Sequence, residues 1–464
     1  MLLFAALAAV DFAQIVHHAP IQNEFSDLDQ VFNSSRGTNH GIYNSSFVPS
    51  SRYGEYNFCN MPHVRKDTYS QVDQSEYKLQ FVEVIHRHHK RTPYAQNCFP
   101  VETLVLHCDD AVNNYYSEFK TPAQINNTMK ISWANYQNRY NPFNFIHNGY
   151  NGTCQFPEIS SAGLEDSYQH GLDLYGVYGE LLEFLPARYD PKQVRFRVTN
   201  NVITSHVVSA VVKAMYPHEK GIEVKVEADG FDALEPTYSC EIADAIASEI
   251  TSSSEWQRHL AKAADLYDEL DDISGVDPNS KDWHQSFDHY FDNTAFRLCH
   301  GYDLACNSGN SSLCMTQHQA EQIFRLGDFE YNYKFRIHEN STLYAATSYG
   351  AYFNELKHRL LEKANGRSSL KYSHNVAHDG SIARILGFLQ VDYLRWPGMG
   401  SEVVFELYEG LNDGEWYLRA LYMGRILTTT GPLVETDMIP LRDFVGYIES
   451  MIGKDAEVLV NYCG

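Results

Sequence analysis

Arg87, His88 and Arg91 stand within five residues of one another in "FVEVIHRHHKRTP", Phe81 to Pro93, where a run of apolar β-formers gives way to a basic cluster. Two guanidiniums offer planar, permanently charged forks that match the tetrahedral oxygens of a phosphate. An imidazole between them can serve as nucleophile or acid. Far downstream, "AHDGSI" sets His378 beside Asp379, a second imidazole next to a carboxyl able to move a proton. Taken singly, the first motif also fits a solvated basic patch and the second a helix N-cap.

A metal site is the rival use of these histidines, because His86, His88 and His89 are close in sequence and His374 and His378 are four apart. Neutral imidazole ligands are disfavoured beside guanidiniums, and H-E-x-x-H is absent. Strand alternation predicts His86 and His88 on one side with His89 on the other. No metal and no cofactor is expected.

The elements that must position these groups read as an α/β layer. "QFVEVIHR" is a strand ending in a loop, 164–186 has helical apolar spacing closed by Pro186, "QVRFRVTNN" alternates as a strand, and "VITSHVVSAVVKAMYP" follows as a helix. Strand, helix, strand, helix implies parallel strands. Residues of about 236–369 carry helical patterns without a convincing strand and predict a helical cap insertion. "SLKYSHNVAHDGSIARILGFL" restores strand, loop and helix, and two alternating segments around "GLNDGE" predict a further strand pair. Residues 15–75 are rich in Asn, Ser and Tyr with little periodicity, yet aromatic enough to predict an arm docked on the core.

The 464 residues carry 36 Lys plus Arg against 59 Asp plus Glu, a net charge of -23, with 44% apolar residues. So anionic a surface excludes general attraction to nucleic acid or acidic lipid, and it requires a local cationic pocket for any anionic substrate. "MLLFAALAAV" is too short to span a bilayer and suits a signal peptide over residues 1–14. Sequons at Asn33, Asn44, Asn126, Asn151, Asn310 and Asn340 lie in polar settings and predict N-linked glycans. Nine cysteines (Cys59, Cys98, Cys108, Cys154, Cys240, Cys299, Cys306, Cys314 and Cys463) lack any C-x-x-C pair, so disulfides are expected, with a local pair among Cys299, Cys306 and Cys314. All of this predicts a secreted glycoprotein.

"RHHKRTP", joined with "AHDGSI", resembles the R-H-G-x-R-x-P and His-Asp signatures of the histidine acid phosphatases, branch 2 of the histidine phosphatase superfamily. "ISSAGLEDSYQHG", "RVTNN", "FRLGDFEYNYKF" and "SEVVFELYE" follow the same family's order, and the resemblance spans about residues 78–464. It is strongest to secreted fungal acid phosphatases and phytases. It implies a phosphoglycerate-mutase-like three-layer α/β/α core of residues 76–235 and 370–464, with a mainly parallel sheet and the cap at 236–369. It also implies hydrolysis of a small phosphomonoester at acidic pH. His88 would form a phosphohistidine, Arg87, Arg91 and His378 would hold the phosphate oxygens, and Asp379 would donate the proton and later activate water. Asp379 is also placed to cap a helix beginning near Ser381.

Two positions depart from that pattern. His89 stands where the family has Gly, and Ile203 stands where it has a further phosphate-binding Arg, six residues after the position of Arg197. Asn200, Asn201, His206, Arg195 and Arg197 are the candidate replacements, although alternation places the two arginines in the sheet. The competing expectation is a phosphate- or phosphosugar-binding protein on a disabled scaffold. Substrate identity and oligomeric state are not legible.

Overall fold

The computed structural model describes residues 15–35, 37–38, 41–43, 52–113, 132, 134, 136, 140 and 151–463. The segment 1–14 and the sequons at Asn44 and Asn126 lie outside them.

A long strand, β1 (Tyr77–Arg87), forms because aromatic and β-branched residues follow one another on both sides of its pleat. Phe81 and Ile85 enter one hydrophobic cluster, Val82 and Val84 the other. A strand apolar on both faces must be covered on both. On one side lie α1 (Ser161–Tyr175) and α2 (Val202–Met215), which flank β2 (Val194–Val198) in sequence. Their Leu174, Val207 and Val211 share a cluster with Val82, Phe196 and Val376.

After β3 (Val224–Val226) the chain is helical from 241 to 364 apart from connecting loops. The helices that bear on the site are α3 (Asp288–Cys299), α4 (Gln317–Asn332) and α5 (Ser341–Ala364). The chain returns through β4 (Tyr372–Ala377), α6 (Asp379–Phe388), β5 (Glu402–Gly410), β6 (Trp416–Tyr422), β7 (Arg425–Ile426), β8 (Ile439–Pro440) and α7 (Leu441–Ile452). Residues of α5, α6 and α7 cluster with Phe81, Ile85, Phe405 and Leu407 on the second face, which completes three layers.

The sheet order is β7-β6-β5-β1-β4-β2-β3, with β8 on β6. Strands β1, β4, β2 and β3 are parallel, while β5 runs antiparallel to β1 and pairs with β6 as the hairpin read from "GLNDGE". Glu83 of β1 is fully buried, and its charge is matched by the α5 guanidinium of Arg359, whose Nε donates at 2.7 Å.

Four disulfides join Cys59–Cys299, Cys108–Cys154, Cys240–Cys463 and Cys306–Cys314. The first and third span 240 and 223 residues and so constrain the unfolded chain most. Leu28, Val31, Tyr43 and Phe58, from the chain before β1, are buried in the larger core. Among the described residues, no helix is long and apolar enough to cross a membrane.

Candidate active site

The parallel strands end level with one another. Arg87 pairs with Ala377 across β1 and β4, the His88 amide donates to the Ala377 carbonyl at 3.0 Å, and the Thr199 amide approaches the Val376 carbonyl at 3.4 Å. Register therefore places Arg87, His88, Thr199 and His378 along the carboxyl edge of the sheet, where open α/β folds bind ligands. The basic loop is pinned against α1: the Ser160 amide donates to the Lys90 carbonyl, and Lys90 Nζ meets Asp166 at 2.5 Å. Gly163 permits that approach, since a Cβ there would lie 2.0 Å from the Lys90 carbonyl oxygen. Lys90 is thus turned into the helix and away from His88.

His88 is buried, and its Nδ1 lies 2.9 Å from the His89 carbonyl. A carbonyl can only accept, so the proton sits on Nδ1 and Nε2 carries the lone pair. Burial first, then Arg91, Arg87 and His378, push its pKa well below the ordinary value, so the ring is neutral and nucleophilic. Its ring centroid is 5.6 Å from that of His378.

Arg87 donates to the Pro397 carbonyl at 2.7 Å and meets Asp379 at 3.0 Å. Arg91 is held by Asp292 of α3 at 3.2 Å and lies over the Tyr94 ring. In both guanidiniums Nε is buried without a hydrogen-bond partner, which is the state of a fork waiting for an anion. His378 reaches Thr199 Oγ1 at 2.9 Å and Glu235 at 3.4 Å. Asp379, 22% exposed, accepts from Trp396 Nε1 at 2.9 Å. Burial raises its carboxyl, but Arg87, the Trp396 bond, Arg91 and His378 outweigh that and hold it below the ordinary value.

The sequence matches the family model for the histidine phosphatase superfamily, branch 2, over residues 78–423. The chain belongs to that family. Membership makes it a phosphomonoester hydrolase of the histidine acid phosphatase type. It is 22% identical to human lysophosphatidic acid phosphatase type 6 over 367 residues, 76% of this chain and 79% of the relative. It is likewise 22% identical to counting factor 60 of Dictyostelium discoideum over 310 residues, 63% and 68% of the two chains. Among solved structures, the Citrobacter braakii phytase shares the fold with a TM-score of 0.53, at 12% identity and covering 82% of this chain and 100% of the phytase. A Hafnia alvei phytase in complex with myo-inositol hexakis sulphate gives 0.53 at 13% identity, covering 82% and 99%.

Two expectations from the sequence change. Alternation placed His86 and His88 on one side, but β1 ends at Arg87, so His88 and His89 are set by the loop. The His88 ring faces His378, while His86 and His89 both approach His170. Asp379 is not an N-cap. It is the first residue of α6, and His378 holds the cap position without a side-chain bond.

Among the described residues, Arg195, Arg197 and Asn201 are engaged elsewhere and do not replace the arginine missing at Ile203, which is fully buried among Val207, Val208 and Val211. Arg197 is committed to Glu355, Glu227 and Asp232, Arg195 donates to Ser373, and Asn201 caps α2. His206 is desolvated, with its pKa pushed down to about 4. Restoring the family residue as Ile203→Arg is therefore expected to bury an unpaired guanidinium and lower stability by about 3–5 kcal/mol, with no gain in turnover. Urea unfolding alongside kcat measures both.

Trp396, Thr199 and Asp292 were not legible as site residues. Each is ordinary in type; Trp396 and Asp292 come from segments without a motif, and Thr199 lies within "RVTNN" without a side chain that marks it for chemistry.

Beside Gly380 lies a cavity of about 540 Å³. Trp256, Leu260, Tyr331, Phe335 and Trp396 give it apolar walls, and Lys334 and Arg384 share it with Glu330 and with Asp288, whose carboxyl burial pushes up to about 7. Arg384 is already spent on Ser348, Tyr344 and the Gly380 carbonyl.

Proposed function

We propose that the protein is a secreted acid phosphatase that hydrolyses phosphomonoesters through a phosphohistidine. One contact carries the reading: the Nδ1–H of His88 on the His89 carbonyl at 2.9 Å, which leaves Nε2 as the unprotonated nitrogen between two arginines. Nε2 attacks phosphorus as the ester P–O bond breaks, and Arg87, Arg91 and His378 hold the non-bridging oxygens. Asp379 gives its proton to the leaving alkoxide. As carboxylate it then takes a proton from the water that attacks the phosphohistidine, releasing phosphate and neutral His88.

The apolar N-terminal run, four disulfides and the sequons support secretion. Asn33, Asn151 and Asn310 are exposed, and Asn340 is half-buried against Glu249. We read residues 76–235 and 370–464 as the catalytic core and 236–369 as the cap that walls the leaving-group cavity.

The apolar walls of that cavity, with Arg384 already bonded within the protein, suit a single phosphate on an apolar body, the kind of substrate named in the human lysophosphatidic acid phosphatase relative. A polyphosphate would need surplus cations. We expect kcat/KM for 1-naphthyl phosphate or lysophosphatidic acid to exceed that for myo-inositol hexakisphosphate by roughly tenfold or more, a 1.4 kcal/mol preference at the transition state.

The test of the activity is p-nitrophenyl phosphate hydrolysis from acid to neutral pH, with acid-labile phosphate trapped on the protein. Best turnover in acid and label on His88 are expected. Phosphate binding with no turnover at any pH would instead establish a binding protein disabled by the loss at Ile203.

A further inference from the structure

We propose that His86, His89 and His170 form a buried site for a zinc-class divalent cation directly beneath the catalytic loop. One nitrogen from each ring lies within 4.8 Å of the other two, and all three side chains are buried. His89 Nε2 and His170 Nδ1 stand 3.1 Å apart. Two nitrogens each at about 2.0–2.1 Å from a tetrahedral zinc stand roughly 3.3 Å apart, so the pair needs almost no adjustment.

Outer contacts fix the tautomers that a metal requires on two of the three rings. His86 Nδ1 is 2.7 Å from the Arg87 carbonyl, which can only accept, so the proton is on Nδ1 and Nε2 bears the lone pair. His170 Nε2 is 2.8 Å from the Glu402 carboxylate, leaving Nδ1 to face His89. A carbonyl on one ligand and a carboxylate on another are the outer partners that orient metal-binding imidazoles and raise their basicity. His374 Nε2 donates to His86 Nε2 at 2.9 Å while its Nδ1 faces the Tyr372 hydroxyl at 3.0 Å, so it lies next to the site and takes part only if it gives up that proton.

A second observation is independent of the rings. Glu402 is 1% exposed, and among the described residues no Lys or Arg pairs with it; its contacts are His170 and the Val64 amide. Among those residues His63 is the one cationic group that eases it, its ring held protonated by Asp173 at 2.8 Å, and a divalent ion one imidazole away would add to that compensation. The site is also built around the residue that departs from the family motif. The His89 ring fits only because position 400 is Gly at φ +71°, where a Cβ would lie 2.4 Å from His89 Cε1. A cavity of about 330 Å³ is lined by His63, whose ring stacks on His170 with centroids 4.1 Å apart, so one imidazole separates the site from that cavity. The ligands are nitrogen only, which suits zinc, copper or nickel and disfavours calcium or magnesium.

The full chain, expressed in zinc- or cobalt-supplemented medium and purified in chelator-treated buffer, is assayed for metal by mass spectrometry. About one equivalent per chain is expected, with the visible bands of four-coordinate cobalt in the cobalt form. His89→Gly, which restores the family residue, is expected to bind at least about 100-fold more weakly while keeping a cooperative melt. A wild type with less than about a tenth of an equivalent, or a His89→Gly protein that retains the full complement, overturns the proposal. Should His89→Gly fail to fold, X-ray absorption on the wild type decides. A shell of imidazole nitrogens at about 2.0 Å supports the site, and a sulfur or purely oxygen shell refutes it.

Discussion

Substituting His88 by alanine is expected to lower kcat for p-nitrophenyl phosphate by roughly 10⁴-fold or more, a loss of about 5.5 kcal/mol or greater at the transition state. The size follows from what remains. Arg87, Arg91 and His378 still surround the site, so inorganic phosphate should bind within about tenfold of the wild type. Only the covalent route is gone, and water is left without a nucleophile in its place. The measurement pairs steady-state kinetics with competition by phosphate. Loss of turnover with binding preserved assigns His88 to bond making, whereas turnover within tenfold of the wild type would sink the phosphohistidine reading.

The two motifs that carry this prediction were legible because each is local. Arg87, His88 and Arg91 are spaced within one strand end, and His378 and Asp379 are adjacent. Parallel strand order followed from the alternation of strand and helix patterns, since apolar spacing reports burial directly. What escaped the sequence depends on where a strand stops and on contacts between distant segments. Alternation cannot be carried past Arg87, so the sides taken by His88 and His89 were misread. Trp396 touches Asp379 from a loop beyond α6, and Thr199 meets His378 from the end of β2. The histidine cluster draws His63, His86, His89, His170 and His374 from four segments, and no spacing rule connects His170 on α1 to Glu402 on β5. Ile203 was visible as a missing arginine, but only the structure shows its side chain packed among valines in the core.

Asp379→Asn should separate substrates by their leaving groups. With p-nitrophenyl phosphate the departing phenolate needs little protonation, and the loss in kcat is expected to come mainly from slow hydrolysis of a phosphohistidine that accumulates. An alkyl phosphate, whose alkoxide must be protonated as it leaves, should lose about 10²–10³-fold in the first step as well. The pH dependence carries the same signature. In the free protein the Asp379 carboxyl is held below its ordinary value, chiefly by Arg87 against the opposing effect of burial. Donation requires the protonated form, so kcat/KM for an alkyl phosphate should fall as pH rises through that depressed pKa. A bound phosphate dianion draws on the same guanidinium, 3.0 Å from Asp379, and adds its own negative charge. The carboxyl then titrates higher, and the alkaline limb of kcat should lie above that of kcat/KM. Asparagine removes both limbs. It also removes a negative charge beside the phosphate, so inorganic phosphate should inhibit the variant more strongly than the wild type. A substitution that leaves the ratio of alkyl to aryl turnover unchanged would exclude Asp379 as the proton donor.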